Sequence, residues 1–110
     1  MALIVYSVAL DMIREIKPVI DDVRRHDREL ANQMKDAAQS AVLNIAEGDR
    51  SHGRNQLVRY STAAGSSKET RAAVSIALAW GYTSEHRASA ADQRLDRMLG
   101  LLWGLCHPRR

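Results

Sequence analysis

The sequence predicts an all-α protein, an up-down-up-down antiparallel four-helix bundle. Apolar residues recur at steps of three and four in four separate segments, which is the spacing of amphipathic helices, and no segment shows the alternation of a strand. Short polar connections separate the segments, and such connections place consecutive helices antiparallel. With 110 residues, the chain can bury a core without a disulfide or a metal. We therefore expect a single bundle domain over residues 1–106.

The first two helices each carry one apolar face. Pro18 lies within the first helix and is expected either to kink it or to displace one backbone hydrogen bond. Asp27 is suited to cap the second helix. Gly48 is expected to end it, because glycine adopts the left-handed conformation of a helix C-terminus without steric cost. The two faces comprise Val5, Val8, Met12, Ile16, Val19 or Ile20, and Val23, then Leu30, Met34, Ala37 or Ala38, Ala41 and Ile45.

The third helix is predicted from about Asn55 to Ala79 or Trp80, with Gly81 ending it. Thr83 or Ser84 is expected to cap the fourth helix. Residues 107–110, which contain Pro108, are predicted to form a disordered basic tail. The apolar stripe of the third helix comprises Val58, Thr62, Gly65, Ala72, Ile76 and Trp80, and that of the fourth comprises Leu95, Met98, Leu99, Leu102 and Leu105.

Composition limits the class of protein and its location. The single cysteine, Cys106, excludes an internal disulfide and is typical of a reducing compartment. The apolar run over residues 98–106 is shorter than the about 20 residues that span a bilayer. We therefore expect a cytoplasmic protein without a membrane partner.

A polar stripe accompanies the apolar face of the second helix, and Glu69 interrupts the apolar stripe of the third. A buried carboxylate must be paired or hydrogen-bonded, so these side chains predict a polar network between the two helices. The candidate members are Gln33, Ser40, Asn44, Glu47, Gly48, Ser66 and Glu69.

The network has two interpretations. It either sets helix register or subunit contacts, or its two glutamates form a carboxylate pair for metal binding or acid–base catalysis. We favour the first, because the Glu-x-x-His pairs of di-iron bundles are absent: Arg50 follows Glu47 at that spacing, and Ala72 follows Glu69. No histidine or cysteine spacing indicates a zinc site. We therefore predict no enzyme activity, no catalytic residue, no metal and no cofactor.

The positive charge is concentrated in one stretch, residues 49–71. Five cations oppose two carboxylates there, Asp49 and Glu69, and the difference equals the net charge of +3 of the whole chain. Such a surface attracts phosphates, and an aromatic ring among the cations can stack on a base. The alternative is ordinary charge on a solvated helix surface. The candidate nucleic-acid-binding residues are Arg50, Arg54, Arg59, Tyr60, Lys68 and Arg71.

The fourth helix is apolar on more than one side near its end. Such a helix is either buried or part of a subunit interface, and we favour the interface. Its candidate residues are Leu101, Leu102, Trp103 and Leu105.

One string of residues carries a family resemblance. Asn44-Ile45-Ala46-Glu47-Gly48 follows Gln33, Ala37-Ala38 and Ser40, and precedes Ala64-Gly65-Ser66-x-x-Glu69 and Leu78-x-x-x-Gly81-Tyr82. In this pattern the chain resembles the four helix bundle protein family, which includes proteins encoded in intervening sequences of bacterial 23S ribosomal RNA genes. It is also similar to the accessory proteins of diversity-generating retroelements, which are basic pentamers that partner a reverse transcriptase and nucleic acid.

The resemblance implies a left-handed four-helix bundle, assembly into a homopentameric ring, and no established enzymatic activity. Asp49 and Leu57 depart from the family, which often has aromatic residues at these two positions. From residues and resemblance together we expect a non-enzymatic, homo-oligomeric scaffold or accessory protein. Its basic surface around the connection between helices 2 and 3 and along helix 3 is expected to bind RNA or DNA, together with a protein partner. The alternative is a protein–protein assembly module without a nucleic-acid partner.

Overall fold

The computed structural model describes residues 2–108, with side chains from Ile4 onward, and this part of the chain forms four α-helices and no strand. The all-α prediction is confirmed. The helices are α1 (Ala2–Arg24), α2 (Arg28–Asp49), α3 (Gly53–Ala79) and α4 (Glu85–Cys106). The helix α1 runs through Pro18 without interruption. No helix in residues 2–108 is both long enough and apolar enough to cross a membrane.

Helices that follow each other in the chain pack together, and α4 also packs on α1, so each helix contacts two others. Connections of three to five residues reverse the chain between helices, so the packing order is that of an up-down-up-down bundle. The largest fully buried apolar side chains come from the predicted faces of α1, α2 and α4: Val5, Met12, Ile16, Val19, Val23, Met34, Ile45, Leu95, Met98 and Leu102.

Helix ends follow local sequence closely. The Asp27 carboxylate accepts a 2.9 Å hydrogen bond from the Leu30 amide, which confirms this residue as the N-cap of α2. Ser84, rather than Thr83, caps α4 by accepting a hydrogen bond from the Arg87 amide. At the end of α3, Gly81 has a φ of 76°, a conformation that side chains disfavour. The prediction that Gly81 ends α3 is confirmed.

The prediction that Gly48 ends α2 is wrong. The helix continues through Gly48 to Asp49, and Gly48 is buried with a negative φ. The Tyr60 ring of α3 packs directly on Gly48: a β-carbon built there would lie 2.6 Å from Cε1 of that ring. Glycine is therefore required at this position by the close approach of two helices.

The apolar stripe predicted for α3 lies on the outside of the protomer. All its members are exposed, with Val58, Ile76 and Trp80 retaining 54%, 46% and 69% of their accessible surface. The core-facing side of α3 is instead made of small or polar residues and one aromatic residue: Tyr60, Ala63, Ser67, Thr70, Ala73, Val74 and Ala77.

Hydroxyl groups are tolerated on this inner side because they are satisfied within the helix. Ser67 Oγ donates to the Ala63 carbonyl, and Thr70 Oγ1 donates to the Ser66 carbonyl, each at 2.8 Å. In the described residues, no buried side-chain nitrogen or oxygen lacks a hydrogen-bond partner. A face that is polar in sequence can therefore be buried without an unpaired polar atom.

The end of α4 corrects one interface assignment. Leu102 is fully buried in the protomer core, whereas Leu101 and Leu105 are partly buried. Trp103 is 64% exposed and stacks on His107, with 4.2 Å between ring centroids. Leu102 is therefore unavailable to a partner. Of the predicted tail, Arg109 and Arg110 lie outside the described residues.

Candidate functional site

The string that carries the family resemblance builds the seam between α2 and α3. Asn44 Nδ2 donates to the Ser40 carbonyl at 2.9 Å, and the Ser40 and Ser66 hydroxyls are hydrogen-bonded at 2.9 Å across the two helices. Arg59 Nη1 reaches Asn44 Oδ1 at 3.4 Å. Ile45, on the neighbouring side of α2, is fully buried in the core. These contacts fix how α2 and α3 lie against each other.

Gly48 and Tyr60 lie at the end of this seam that is next to the connection between α2 and α3. The Gln56 amide donates a 3.0 Å hydrogen bond to the Gly48 carbonyl, next to the place where the Tyr60 ring covers the glycine. Tyr60 is 3% exposed, and its burial raises the pKa of the phenol. The ring is therefore part of the packing and cannot stack on a nucleic-acid base, which corrects its assignment to the basic surface.

The structure brings together only part of the predicted polar network. Ser40, Asn44 and Ser66 are in contact, and sequence reasoning missed Arg59 as a further member. Gln33, Glu47 and Glu69 are exposed, and the side chains of these three make no hydrogen bond within the described residues. The expectation of a buried Glu69 arose from its place in an apolar stripe, and that stripe lies outside.

The two glutamates do not form a carboxylate pair. Glu69 is level with Ala37 of α2, because Ser66 contacts Ser40 and the helices are antiparallel. Ala37 and Glu47 lie ten residues apart on α2, which is about 15 Å along the helix. Within residues 2–108, no three His, Cys, Asp or Glu side chains are grouped as a metal site requires. Burial also raises the pKa of the Cys106 thiol, which disfavours the nucleophilic thiolate.

Arg71 is neutralised within the protomer. Its guanidinium forms two hydrogen bonds to the Asp92 carboxylate, at 2.6 and 3.0 Å, and a third to Asp96 at 3.2 Å. These carboxylates lie on α4, beyond the stretch whose charges were counted in the sequence. Arg71 therefore serves as a bridge between α3 and α4 and leaves the candidate nucleic-acid surface.

The other four cations are exposed. Arg50, Arg54, Arg59 and Lys68 make no ion pair with a carboxylate in the described part of the chain. Arg50 lies in the connection between α2 and α3, and Arg54 and Arg59 lie in the first two turns of α3. Lys68 follows Arg59 by nine residues, about 14 Å along the helix. The three arginines therefore form the basic surface, and Lys68 lies apart from it.

The outer side of α3 carries a more continuous feature, here named the α3 outer stripe. Its residues follow one another at steps of four, three, four, three and four, a heptad spacing that keeps them on one side of a helix. All are exposed in the protomer. The stripe comprises Val58, Thr62, Gly65, Glu69, Ala72 and Ile76.

The buried carboxylate of Asp22, at the opposite end of the bundle, was not predicted from the sequence. Asp22 accepts hydrogen bonds from Arg87, Thr83 and Arg25 at 2.7, 2.9 and 2.6 Å. Burial raises the pKa of this carboxyl, but these hydrogen bonds outweigh burial and hold the pKa below its ordinary value. The only sequence signal was an aspartate beside the buried Val23, because two of its three partners, Thr83 and Arg87, lie 61 and 65 residues away and only the fold brings them close.

These features define a class: an all-α protein of four helices in which the most specific sequence string builds a helix–helix seam. The chain belongs to the 23S rRNA-intervening sequence protein family, whose model matches residues 1–104. Its fold is similar to a crystal structure from Bacteroides thetaiotaomicron, described as a protein with unknown function from the S23 ribosomal protein family. The TM-score is 0.83 at 15% identity, with 94% of this chain and 98% of that chain covered. A comparison with curated proteins found no match.

Proposed function

We propose that this protein is a non-enzymatic helical assembly module that functions as a homo-oligomer, with the pentameric ring implied by the family resemblance as its form. The observation that carries this proposal is the exposure of the α3 outer stripe. Val58 and Ile76 lie at its two ends, half exposed, on the same side of one helix. Between them lie three small residues, Thr62, Gly65 and Ala72, and one carboxylate, Glu69.

The stripe has the properties of a helix-packing surface. Heptad spacing places its residues along a seam that a second helix can follow. Small residues at the centre permit close approach of the two backbones. The stripe is about 27 Å long, from the rise of 1.5 Å per residue over residues 58–76. An extended exposed surface of this kind is typical of a protein–protein contact.

The test is size-exclusion chromatography with light scattering. A mass near five times 12.3 kDa, about 60 kDa, is expected for the wild type. The variant Ile76→Asp places a charge on the stripe and is expected to lower the mass, because an unpaired charge is costly to bury. Ile4→Asp is the matched control, since Ile4 is 54% exposed and lies on α1, away from the stripe. A wild type at 12.3 kDa would contradict the proposal.

A second function is favoured by a separate observation. Arg50, Arg54 and Arg59 present guanidinium groups without a carboxylate partner in the described residues, around the connection between α2 and α3. Guanidinium groups bind phosphates, and a symmetric ring would repeat this surface once in each subunit. We propose RNA or DNA as the ligand of that surface. A module without a nucleic-acid partner is the alternative.

Absorbance at 260 and 280 nm during the same chromatography distinguishes the two, since retained nucleic acid raises the ratio. With a short labelled RNA or DNA, Arg54→Glu with Arg59→Glu is expected to weaken binding and to flatten its dependence on salt. Lys68→Glu is the control, because Lys68 lies apart from the basic surface. An absorbance ratio typical of pure protein, together with unchanged nucleic-acid affinity in the double variant, would contradict nucleic-acid binding. The assembly function would then be the only one proposed.

A further inference from the structure

We infer that the α3 outer stripe of one copy lies in the groove between α1 and α2 of the next copy, with Glu69 paired to Lys35 across the contact. This inference rests on the proposed assembly function and names the surface that receives the stripe. Three features of the protomer support it: an apolar groove with a basic rim, the level of Glu69 along the bundle, and an exposed leucine opposite a glycine.

The groove has an apolar floor formed by Ile13, Ile16, Ile20 and Ala38. It continues towards Val42 and Leu43, since Ile13 and Gln39 line both halves. A helix that lies in such a groove contacts two helices at once, and its apolar residues cover the floor.

The rim of the groove is basic. Four cations and one carboxylate line it, but Lys17 is already paired with Asp21, and Arg14 with Asp11, each at 2.8 Å. Arg24 and Lys35 are the two rim cations without a carboxylate partner in the described residues. Arg24 donates only to the neutral amide oxygen of Asn32. Lys35 makes no hydrogen bond or ion pair within residues 2–108. The rim therefore offers positive charge to an occupant that carries a carboxylate.

The α3 outer stripe carries one such carboxylate at its centre. Glu69 has no partner among the described residues. Covering the stripe with an uncharged surface would leave this carboxylate unpaired, which is costly, whereas a basic rim compensates it. The stripe and the groove are therefore complementary in charge as well as in their apolar residues.

Glu69 and Lys35 lie at nearly the same height along the axis of the bundle. Ser40 of α2 contacts Ser66 of α3, and the two helices are antiparallel. Glu69, three residues beyond Ser66, is therefore level with Ala37, three residues before Ser40. Lys35 lies two residues from Ala37, about 3 Å along the axis. Rotation about an axis parallel to the bundle keeps levels unchanged, so it brings Glu69 of one copy opposite Lys35 of the next.

The shapes of the groove and the stripe also fit when the two copies lie at the same height. Leu43 is 62% exposed at the edge of the groove, and it is level with Ala63 by the same reasoning. At this level the stripe carries Thr62 and Gly65. A β-carbon built on Gly65 meets no other atom within 4 Å, so this part of α3 leaves room for the leucine of a neighbouring copy.

The two surfaces lie on different sides of the molecule, because α3 packs on α2 and α4 and lies diagonally across the bundle from α1. Contacts between two different surfaces are head-to-tail, and they close into a ring when the rotation permits. Each copy then uses its stripe on one side and its groove on the other.

A charge swap tests the pairing. Glu69→Lys and Lys35→Glu alone are each expected to raise the dissociation constant of the assembly about a hundredfold, because like charges then face each other. The double variant Glu69→Lys with Lys35→Glu is expected to recover to within about tenfold of the wild type. Arg97→Glu, an exposed cation of α4, is the control and is expected to leave the mass unchanged. Masses come from light scattering over a concentration series, with helicity followed by circular dichroism.

Gly65→Leu gives a second test that does not depend on charge. Gly65 is exposed, a β-carbon there meets no other atom within 4 Å, and leucine favours helix over glycine. We therefore expect unchanged or higher helicity together with a lower mass, because the new side chain occupies the place of Leu43.

The outcomes separate this inference from the assembly proposal. The contact between stripe and groove would be overturned if the single variants retained the wild-type mass, or if the double variant failed to recover the wild-type dissociation constant. A wild-type oligomer would still support the assembly proposal in that case. A wild type that is monomeric would overturn both.

Discussion

The Thr83 hydroxyl donates a 2.9 Å hydrogen bond to Oδ2 of Asp22, joining the last turn of α1 to the connection between α3 and α4. The Asp22 side chain is 7% exposed, and Arg25 and Arg87 both donate to its other oxygen, Oδ1. A buried carboxylate that accepts three hydrogen bonds is stabilised in its ionised form. This cluster therefore stabilises the packing of α1 against α4 and the connection between α3 and α4, at one end of the bundle.

Asp22→Asn is expected to destabilise the protein by about 1–3 kcal/mol at neutral pH, because it removes charge-assisted hydrogen bonds from a buried site. The pKa of Asp22 is lower in the folded than in the unfolded chain. Its stabilising contribution is therefore present above the unfolded pKa of about 4 and is lost as the pH falls through the folded pKa. Urea unfolding of wild type and variant at pH 7 and at successively lower pH values should show the difference shrinking below about pH 4.

Asp21→Asn is the control for this measurement. Asp21 neighbours Asp22 and pairs with Lys17, but about half of its side chain is exposed. Surface pairs contribute at most about 1 kcal/mol, so we expect a small effect. An Asp22→Asn effect no larger than that of the control, or one that persists undiminished in acid, would contradict the role assigned to Asp22.

Gly48→Ala is expected to destabilise the protein by about 1–3 kcal/mol, because the new methyl group meets the buried Tyr60 ring at 2.6 Å. Gly100→Ala, within α4 and outside the α3 outer stripe, is the matched control. It meets no neighbouring atom, so removing a helical glycine there should stabilise the protomer by about 0.5–1 kcal/mol. Thermal unfolding of both variants should give shifts of opposite sign. Equal shifts would show that the contact with Tyr60 does not constrain position 48.

The inner and outer sides of α3 should respond differently to alanine. Val74 is 3% exposed on the inner side, and Val74→Ala is expected to cost about 2 kcal/mol at any protein concentration. Ile76 is 46% exposed in the protomer, so the cost of Ile76→Ala should grow with protein concentration as the assembly forms. Denaturant unfolding over a concentration series measures both. A cost for Ile76→Ala that is independent of concentration would argue against the stripe as an interface.

Cys106 should behave as an unactivated thiol. Because burial raises its pKa, alkylation by iodoacetamide should be slow at pH 7 and should accelerate only above the ordinary thiol pKa of about 8.5. The rate of alkylation against pH, followed by mass spectrometry, provides the check. A rate that reaches its plateau below pH 8 would indicate an activated cysteine.

The correspondence between sequence and structure differs from one helix to another. In α1, α2 and α4 the apolar faces predicted from periodicity coincide with the core. In α3 the same reasoning selected Val58 and Ile76, which lie outside, while Ser67 and Thr70 lie inside. A helix that carries small or apolar residues on two sides gives two candidate faces, and residue size alone does not rank them.

Local sequence specifies the four helices, the Asp27 cap and the Gly81 end, because these depend on contacts within a few residues. Three other features depend on the tertiary fold: the Tyr60 ring on Gly48, the ion pair of Arg71 with Asp92, and the hydrogen bonds from Thr83 and Arg87 to Asp22. Each of these pairs joins different helices or a helix and a distant connection. Their energies depend on how the helices approach, which local sequence does not specify.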